Sequence, residues 1–439
     1  MKHIKHILLA VMLLGNITRS FSQEIKTRFL TIQDAFELAT KNSAQLKVSE
    51  LNTDLARQKT AVSRLARLPE ISGGLNYGFL SNSQIWDPSF DKHVTRPIPH
   101  TLTQFSVQAS QLVFKGGEVT NGIKRATLEE QIAVLNQDKN LEDIKFLVAA
   151  SYLDIYRLMN QRRVYSDNIV LSQERLKNIL SLQKQGLVTN NDVLRTQLII
   201  SDLQLAVRKT DDNVSILTQQ LNTVLGLGLN DRLIPDSSIL AYDPEDMHIE
   251  NLMAQAFENN KDLKTSNKEV EIARTNLNII DADRYPRISI FAANNFQRPY
   301  TYSPTALDIY YNNYQIGVSV AYNISSIYQT PKKRKAGSIQ VDKSIAGEIV
   351  QKQNVEVAVN ADLVKYNEAK YEFTTYSDDL LSAEENYRIV EKKYFNQLAL
   401  LADLIDATNT KIEAELKVSN AQINVVYTHY QLKKSIGIL

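Results

Sequence analysis

Few residues in this chain have the types and spacing to do chemistry, and those that stand out are acids. Asp403 and Asp406 lie three apart, which places both carboxylates on one face of a helix. Asp192 stands in a matching context. Asn191-Asp192-Val193-Leu194 and Ala402-Asp403-Leu404-Ile405 are the same mark, each about two-thirds of the way along a long tract. Carboxylates gathered in this way attract cations and repel one another. They also suit the positive end of a helix dipole, and the sequence leaves both readings open for all three. Nothing speaks for bond-making chemistry. Cysteine is absent, and the six histidines, at 3, 6, 93, 100, 248 and 429, have no ligand spacing. With no nucleophile–base pair and no phosphate-binding loop, no catalytic residue, cofactor or metal site is expected, and an enzyme is not.

The elements that carry these acids are unusually long. From Thr120 to Leu225 there is no proline, and after Gly122 the one glycine is Gly186; from Glu348 to Ile436 there is neither glycine nor proline. Breakers that sparse predict long helices, here over about 118–185, 190–225, 336–395 and 401–436. Apolar spacing at Leu141, Ile144, Leu147, Val148, Ile155 and Leu158 agrees. Gly186 interrupts the first tract, Thr189 or Asn190 can cap a returning helix, and Gly226 stops it. A helix of roughly 60 residues is about 90 Å long, so an elongated molecule is expected.

Between the helices lie alternating runs. A helical pattern from Thr31, an N-cap with Asp34 at the capping-box position, ends at Pro69. Strands are then predicted at about 71–80 and 103–114, separated by a loop with Trp86, Pro88, Pro97 and Pro99, and again at about 287–297 and 312–323. In the first, Ile71, Leu75, Tyr77 and Phe79 alternate with Ser72, Gly74, Asn76 and Gly78. In the last, Tyr314, Ile316, Val318, Val320 and Tyr322 alternate with Gln315, Gly317, Ser319 and Ala321. Aromatics at strand ends, Tyr77, Phe79, Tyr314 and Tyr322, suit the girdle of a membrane barrel; the other reading is the edge of a soluble sandwich. After the fourth strand, Lys332-Lys333-Arg334-Lys335 reads as a solvated helix start or a basic collar beneath a membrane.

The pattern occurs twice. Pro69-Glu70-Ile71-Ser72 returns as Pro286-Arg287-Ile288-Ser289, Ala56-Arg57 as Ala273-Arg274, and Leu46-Lys47 as Leu263-Lys264, all 217 apart. Asp192 and Asp403, Leu221 and Leu432, and Gly226 and Gly437 are 211 apart. A tandem duplication follows, with residues 23–228 as the first repeat, 229–249 as a connector and 250–439 as the second. Residues 1–22 read as a secretory signal, with Lys2 and Lys5 before an apolar run, Ile7 to Leu14; a retained anchor is the other reading. That segment holds three basic residues and no acid, so the remainder goes from a formal charge of +1 to −2. Such a balance gives no support to a nucleic-acid partner.

Each repeat offers two strands of about ten residues, enough to cross a bilayer when tilted. Four strands cannot close a barrel, and an open edge cannot stay in lipid. Spanning strands would therefore be shared among chains, and three copies would supply twelve.

These features together resemble the outer-membrane efflux proteins, the TolC-like channel family. The resemblance covers nearly all of the chain after the signal. It rests on the duplication, the two Pro-x-Ile helix-to-strand transitions, Leu112-Val113-Phe114-Lys115-Gly116-Gly117, Gly186 through Leu194, Asp403-Leu404-Ile405-Asp406-Ala407 and the closing Ser435-Ile436-Gly437. It implies a mainly α protein with transmembrane β: long α-helical hairpins forming a periplasmic α-barrel, and four strands per chain in a homotrimeric twelve-stranded barrel in the outer membrane. It implies the exit duct of a tripartite efflux or type I secretion system, passively conducting substrates delivered by a periplasmic adaptor (membrane fusion) protein and an inner-membrane transporter. Asp403, Asp406 and Tyr394 match the residues that ring and close the periplasmic entrance. Gly186, Leu187, Thr189, Asp192, Gln397, Leu398 and Leu400 fall at the hairpin tips, where the adaptor would bind. The chain departs from the family at Gln397, where a glycine is usual, and at Ala399, where a basic residue is frequent. It also lacks the frequent lipid-bearing cysteine. The competing reading is a periplasmic coiled-coil structural or adaptor-like protein without a membrane barrel.

Overall fold

The computed structural model describes residues 26–240, 247–301 and 306–439; the signal segment, Pro244 of the expected connector and Tyr302 of the loop between the last two strands lie outside them. The chain divides into two units. One holds residues 26–49, 137–240, 247–261 and 353–439; the other holds 50–136, 262–301 and 306–352.

The second unit carries a four-stranded antiparallel sheet. β2 (Glu70–Phe79), β5 (Thr101–Phe114), β7 (Arg287–Arg298) and β8 (Tyr311–Ala321) pair in the order β2-β5-β7-β8. The register explains the alternation seen in the sequence. Leu75 faces Phe105, Phe105 faces Phe296, and Ala292 faces Ile316, so most apolar residues of the four strands share one side, with Leu102, Leu112 and Phe291 on the other. The mostly apolar side is exposed: Ile71, Leu75, Tyr77, Phe79, Tyr314, Ile316, Val318 and Val320 are all open to solvent. Gln104, Gln108, Asn295, Gln315 and Ser319 share the opposite side. The outer edges of β2 and β8 have no partner strand among the described residues. Between β2 and β5 a small hairpin, β3 (Ser83–Trp86) and β4 (His93–Arg96), stands where a loop was expected.

Gly116 ends β5 in the left-handed region, where a Cβ would lie 2.5 Å from the Tyr285 ring, so no other residue fits that turn. The neighbouring helices of this unit are α2 (Ala44–Leu65), the first part of α3 (Glu118–Lys184), α6 (Lys261–Ala282) and the start of α7 (Ser326–Phe395). Thr60 Oγ1 donates to the Ala126 carbonyl at 3.0 Å, tying α2 to α3. α7 begins ten residues before the expected 336. Pro331 lies within its second turn, where a proline removes a single ladder bond and the helix continues through it. The basic run therefore sits in the opening turns of α7. Lys333 pairs with Asp283 at 3.0 Å and Arg334 with Asp281 at 3.0 Å, both exposed.

The other unit is helical. Its core gathers Ile144, Val148, Tyr152, Leu153 and Ile155 of α3 with Leu221 and Leu225 of α4 (Asn190–Leu225) and Ile423 and Val426 of α8 (Leu401–Ile436). Above it, α1 (Ile32–Asn42) starts with the expected capping box: Thr31 Oγ1 accepts the Asp34 N–H and Asp34 accepts the Thr31 N–H, each at 3.2 Å. The segment read as a connector contains a strand, β6 (Arg232–Pro235), parallel to β1 (Thr27–Leu30). Tyr152 locks the pair, donating to the Leu30 carbonyl at 2.7 Å and accepting the Asp236 N–H at 2.7 Å. α5 (Ile249–Asn259) completes this unit. No described helix is long and apolar enough to cross a membrane.

Candidate functional site

The acids singled out in the sequence sit where the long helices turn. α3 ends and α4 begins around Gly186; α7 ends and α8 begins around Gln397. The two turns have the same backbone. At the first, the Gly186 N–H donates to the Gln183 carbonyl at 2.9 Å and the Leu187 N–H to Leu182 at 3.0 Å. At the second, Gln397 donates to Tyr394 at 2.9 Å and Leu398 to Lys393 at 2.8 Å. This is a Schellman ending, which needs a left-handed residue at its penultimate position. Gly186 takes φ +73° without cost, whereas Gln397 takes φ 62° against its own Cβ.

The returning helices also start alike. Asp192 accepts the Thr189 N–H at 2.9 Å and the Thr189 hydroxyl at 3.0 Å. Asp403 accepts the Leu400 N–H at 2.9 Å, and leucine has no hydroxyl to add. Both acids are thus third-position capping residues, which answers half of the question the sequence left open. Three residues on, the tips diverge: Arg195 follows Asp192, whereas Asp406 follows Asp403. Asp403 and Asp406 are both exposed.

Beneath the turns the hairpins pack together. Ile179, Val193, Tyr394, Leu401 and Leu404 form a buried cluster, with Val188, Tyr387, Val390, Phe395 and Ala399 against it. Tyr394 is buried here, but its hydroxyl has no hydrogen-bond partner; burial, with the Asp192 charge second, pushes its pKa up. It therefore holds the tip through its ring. Leu187, Leu398 and Leu400 remain exposed, Leu398 at 75%.

A buried cation in the same cluster escaped the sequence reading. Arg175 is only 3% exposed. Its Nη2 donates to the Tyr387 hydroxyl at 3.1 Å, and that hydroxyl donates to Glu391. Burial, followed by this bond to Glu391, raises the Tyr387 pKa. Lys411 Nζ lies 5.0 Å from the centre of the Tyr387 ring. The signal was present: Asn168, Ser172, Arg175 and Ile179, spaced four, three and four, are all buried on one stripe of α3. Polar residues on a core stripe are what a solvated-face reading overlooks. No cluster of metal-ligating side chains occurs among the described residues.

Comparison with known proteins now bears on this architecture. The model of the family described as outer membrane efflux protein matches residues 35–227 and again 252–438. The chain belongs to the outer membrane efflux protein family. Outer membrane efflux protein BepC of Brucella suis biovar 1 (strain 1330) is 20% identical over 410 residues, which is 93% of this chain and 85% of BepC. Among solved structures, the outer membrane protein VceC of Vibrio cholerae aligns with TM-score 0.76 at 12% identity, covering 92% of this chain and 96% of VceC. The CmeC outer membrane channel of Campylobacter jejuni aligns with TM-score 0.74 at 12% identity, covering 92% and 85%. The fold is that of the TolC-like α-barrel channels. This efflux protein resides in the outer membrane, with a large periplasmic portion.

Proposed function

We propose that this efflux protein is the passive exit duct of a tripartite efflux or type I secretion system, and that it works as a homotrimer. The observation that carries the reading is the sheet. Four strands expose one apolar side and leave two edges open, and neither can persist alone in water or in lipid. Pairing β8 of one copy with β2 of the next would remove every edge in three copies, with twelve strands around a lumen lined by glutamine, asparagine and serine. Tyr77 and Phe79 at the loop end of β2, Tyr314 near the loop end of β8, and Tyr322 beyond its far end would then meet the two lipid interfaces.

The helices support the same assembly. Val350, Val357, Val364 and Tyr371 recur every seven residues along α7 and are all exposed. That is a coiled-coil seam without a partner in its own chain. The duplicated chain would place two such hairpins per copy around a periplasmic tunnel. At its end, Asp403 and Asp406 of three copies would ring the entrance and favour cations, with Tyr394 packed behind them. The exposed Leu187, Leu398 and Leu400, with Gly186, Thr189, Asp192 and Gln397 around them, would form the surface met by a periplasmic adaptor, and through it an inner-membrane transporter.

Extraction from outer membranes tests the assembly. The duct reading expects a trimer that is released only by detergent and that dissociates on heating in gel electrophoresis. A freely soluble monomer would instead favour a periplasmic adaptor-like protein.

A further inference from the structure

Eight buried side-chain polar atoms lack a hydrogen-bond partner among the described residues, and half of them lie on the tip-proximal parts of α3 and α7: Ser172 Oγ, Arg175 Nε and Nη1, and the Tyr394 hydroxyl. The other four are scattered over Arg157, Asn222, Ser326 and Thr330. Native structures hold few such groups, so their concentration in one place calls for a reason.

Arg175 is the centre of the concentration. Its one partner is a phenol, not a carboxylate. Glu391 reaches it only through the Tyr387 hydroxyl. Lys411 sits on the same ring but is itself paired with Glu415 at 3.4 Å, and Glu415 also accepts from Asn168 at 3.2 Å, so the one acid that α8 brings to the cluster is engaged by other groups. On α4, Asp192 is already engaged by Thr189. A guanidinium taken out of water with a single neutral acceptor is a net cost to the packing that holds it. That packing joins α3 and α4 to α7 and α8, and these are the helices that must part if the tip is to widen. Parting them would admit water to every unsatisfied atom of the cluster.

We propose that Arg175 sets the balance between packed and parted tips, as a built-in bias toward opening. The proposal rests on the channel reading above. It is opposite in sign to a clasp, in which the Arg175–Tyr387 bond would hold the tips together.

The test is single-channel recording of the full-length trimer in planar bilayers. Arg175→Met keeps the length of the apolar stem and removes the charge; the open fraction is expected to fall about tenfold, and hydrogen exchange at the tips is expected to slow. Arg175→Gln should shift both readouts the same way, which keeps the test decisive if the methionine variant does not assemble. Tyr387→Phe removes the one acceptor and should raise the open fraction, while the double variant with Arg175→Met should behave like Arg175→Met alone. A higher or unchanged open fraction on removing the charge would overturn the proposal. Wild-type protein that does not conduct at all would instead refute the channel reading.

Discussion

The two hairpin tips share one backbone and differ in what they put on it. Both end a long helix in a Schellman turn and restart with an acid capping the next. The first uses glycine at the left-handed position, a threonine that doubles the capping bonds, and an arginine after the acid. The second uses Gln397, Leu400 and Asp406 at the same places. The first tip is thus relaxed, with one acid and one arginine opening its returning helix; the second is strained, with two acids opening its returning helix after Lys392 and Lys393 end the outgoing one. A duplicated element has kept its geometry while only one copy kept the ideal residues, and that copy is not the one with concentrated charge. Departures from local preference are expected where function is served.

The comparison can be broken in several ways, and the largest effect should come from the shared packing. Leu404→Ala opens a cavity at a fully buried site and should cost roughly 3 kcal/mol of local stability. Hydrogen exchange should then rise at both tips together. A rise confined to the second hairpin would show that they are not one packed unit.

The next effect separates the returning helices by pH. His429 of α8 is buried, and desolvation lowers its pKa to about 4, with Lys433 contributing; the residue 211 positions earlier on α4 is Thr218, which does not titrate. A base whose folded pKa lies below its unfolded value stabilises the fold fully above the unfolded value, about 6.5, and the contribution is lost as pH falls through the folded one. Stability should therefore decline by up to about 3 kcal/mol between pH 6.5 and 4, and the decline should flatten in His429→Thr. Thermal unfolding of the detergent-solubilised protein across that range measures it; an unchanged slope in the variant would place the sensitivity elsewhere.

Smaller effects address the turns. Asp192→Ala removes two capping bonds and should cost about 1 kcal/mol, and Asp403→Ala, with one, should cost less. Gln397→Gly should stabilise the second tip by about 1 kcal/mol and Gly186→Gln should weaken the first by about as much. Limited proteolysis at the tips would rank the four; a Gln397→Gly tip cut faster than the wild type would show that the strain is not what distinguishes it.

Much of this was legible in the sequence because it is local. Gly186, Thr189 and Gly226 mark helix ends by their own conformational preferences, and the alternation from Ile71 to Phe79 marks a strand by its period. The parallel pair of Thr27–Leu30 with Arg232–Pro235 was not legible. Each strand has four residues, and some 205 positions separate the partners, so no local pattern announces the pairing. The start of α7 was placed at about 336, ten residues late, because the helix runs through Pro331, which this near a helix start removes only one bond. Arg175 was missed because a mid-helix arginine on a long helix normally faces water, and only the packing of four helices around it shows otherwise. The roles of the tip acids lay partly beyond the sequence as well, since capping and ion attraction call for the same residue at the same place.

The most direct measurement of the central account is the reversal potential of the trimer in a planar bilayer under a salt gradient. The wild type should conduct and favour cations. Asp403→Asn with Asp406→Asn should abolish the preference, while Asp192→Asn, at the tip with a single acid beside Arg195, should leave it nearly intact. Equal selectivity in all three proteins would contradict an entrance ringed by the second tip, and a wild type without conductance would contradict the duct itself.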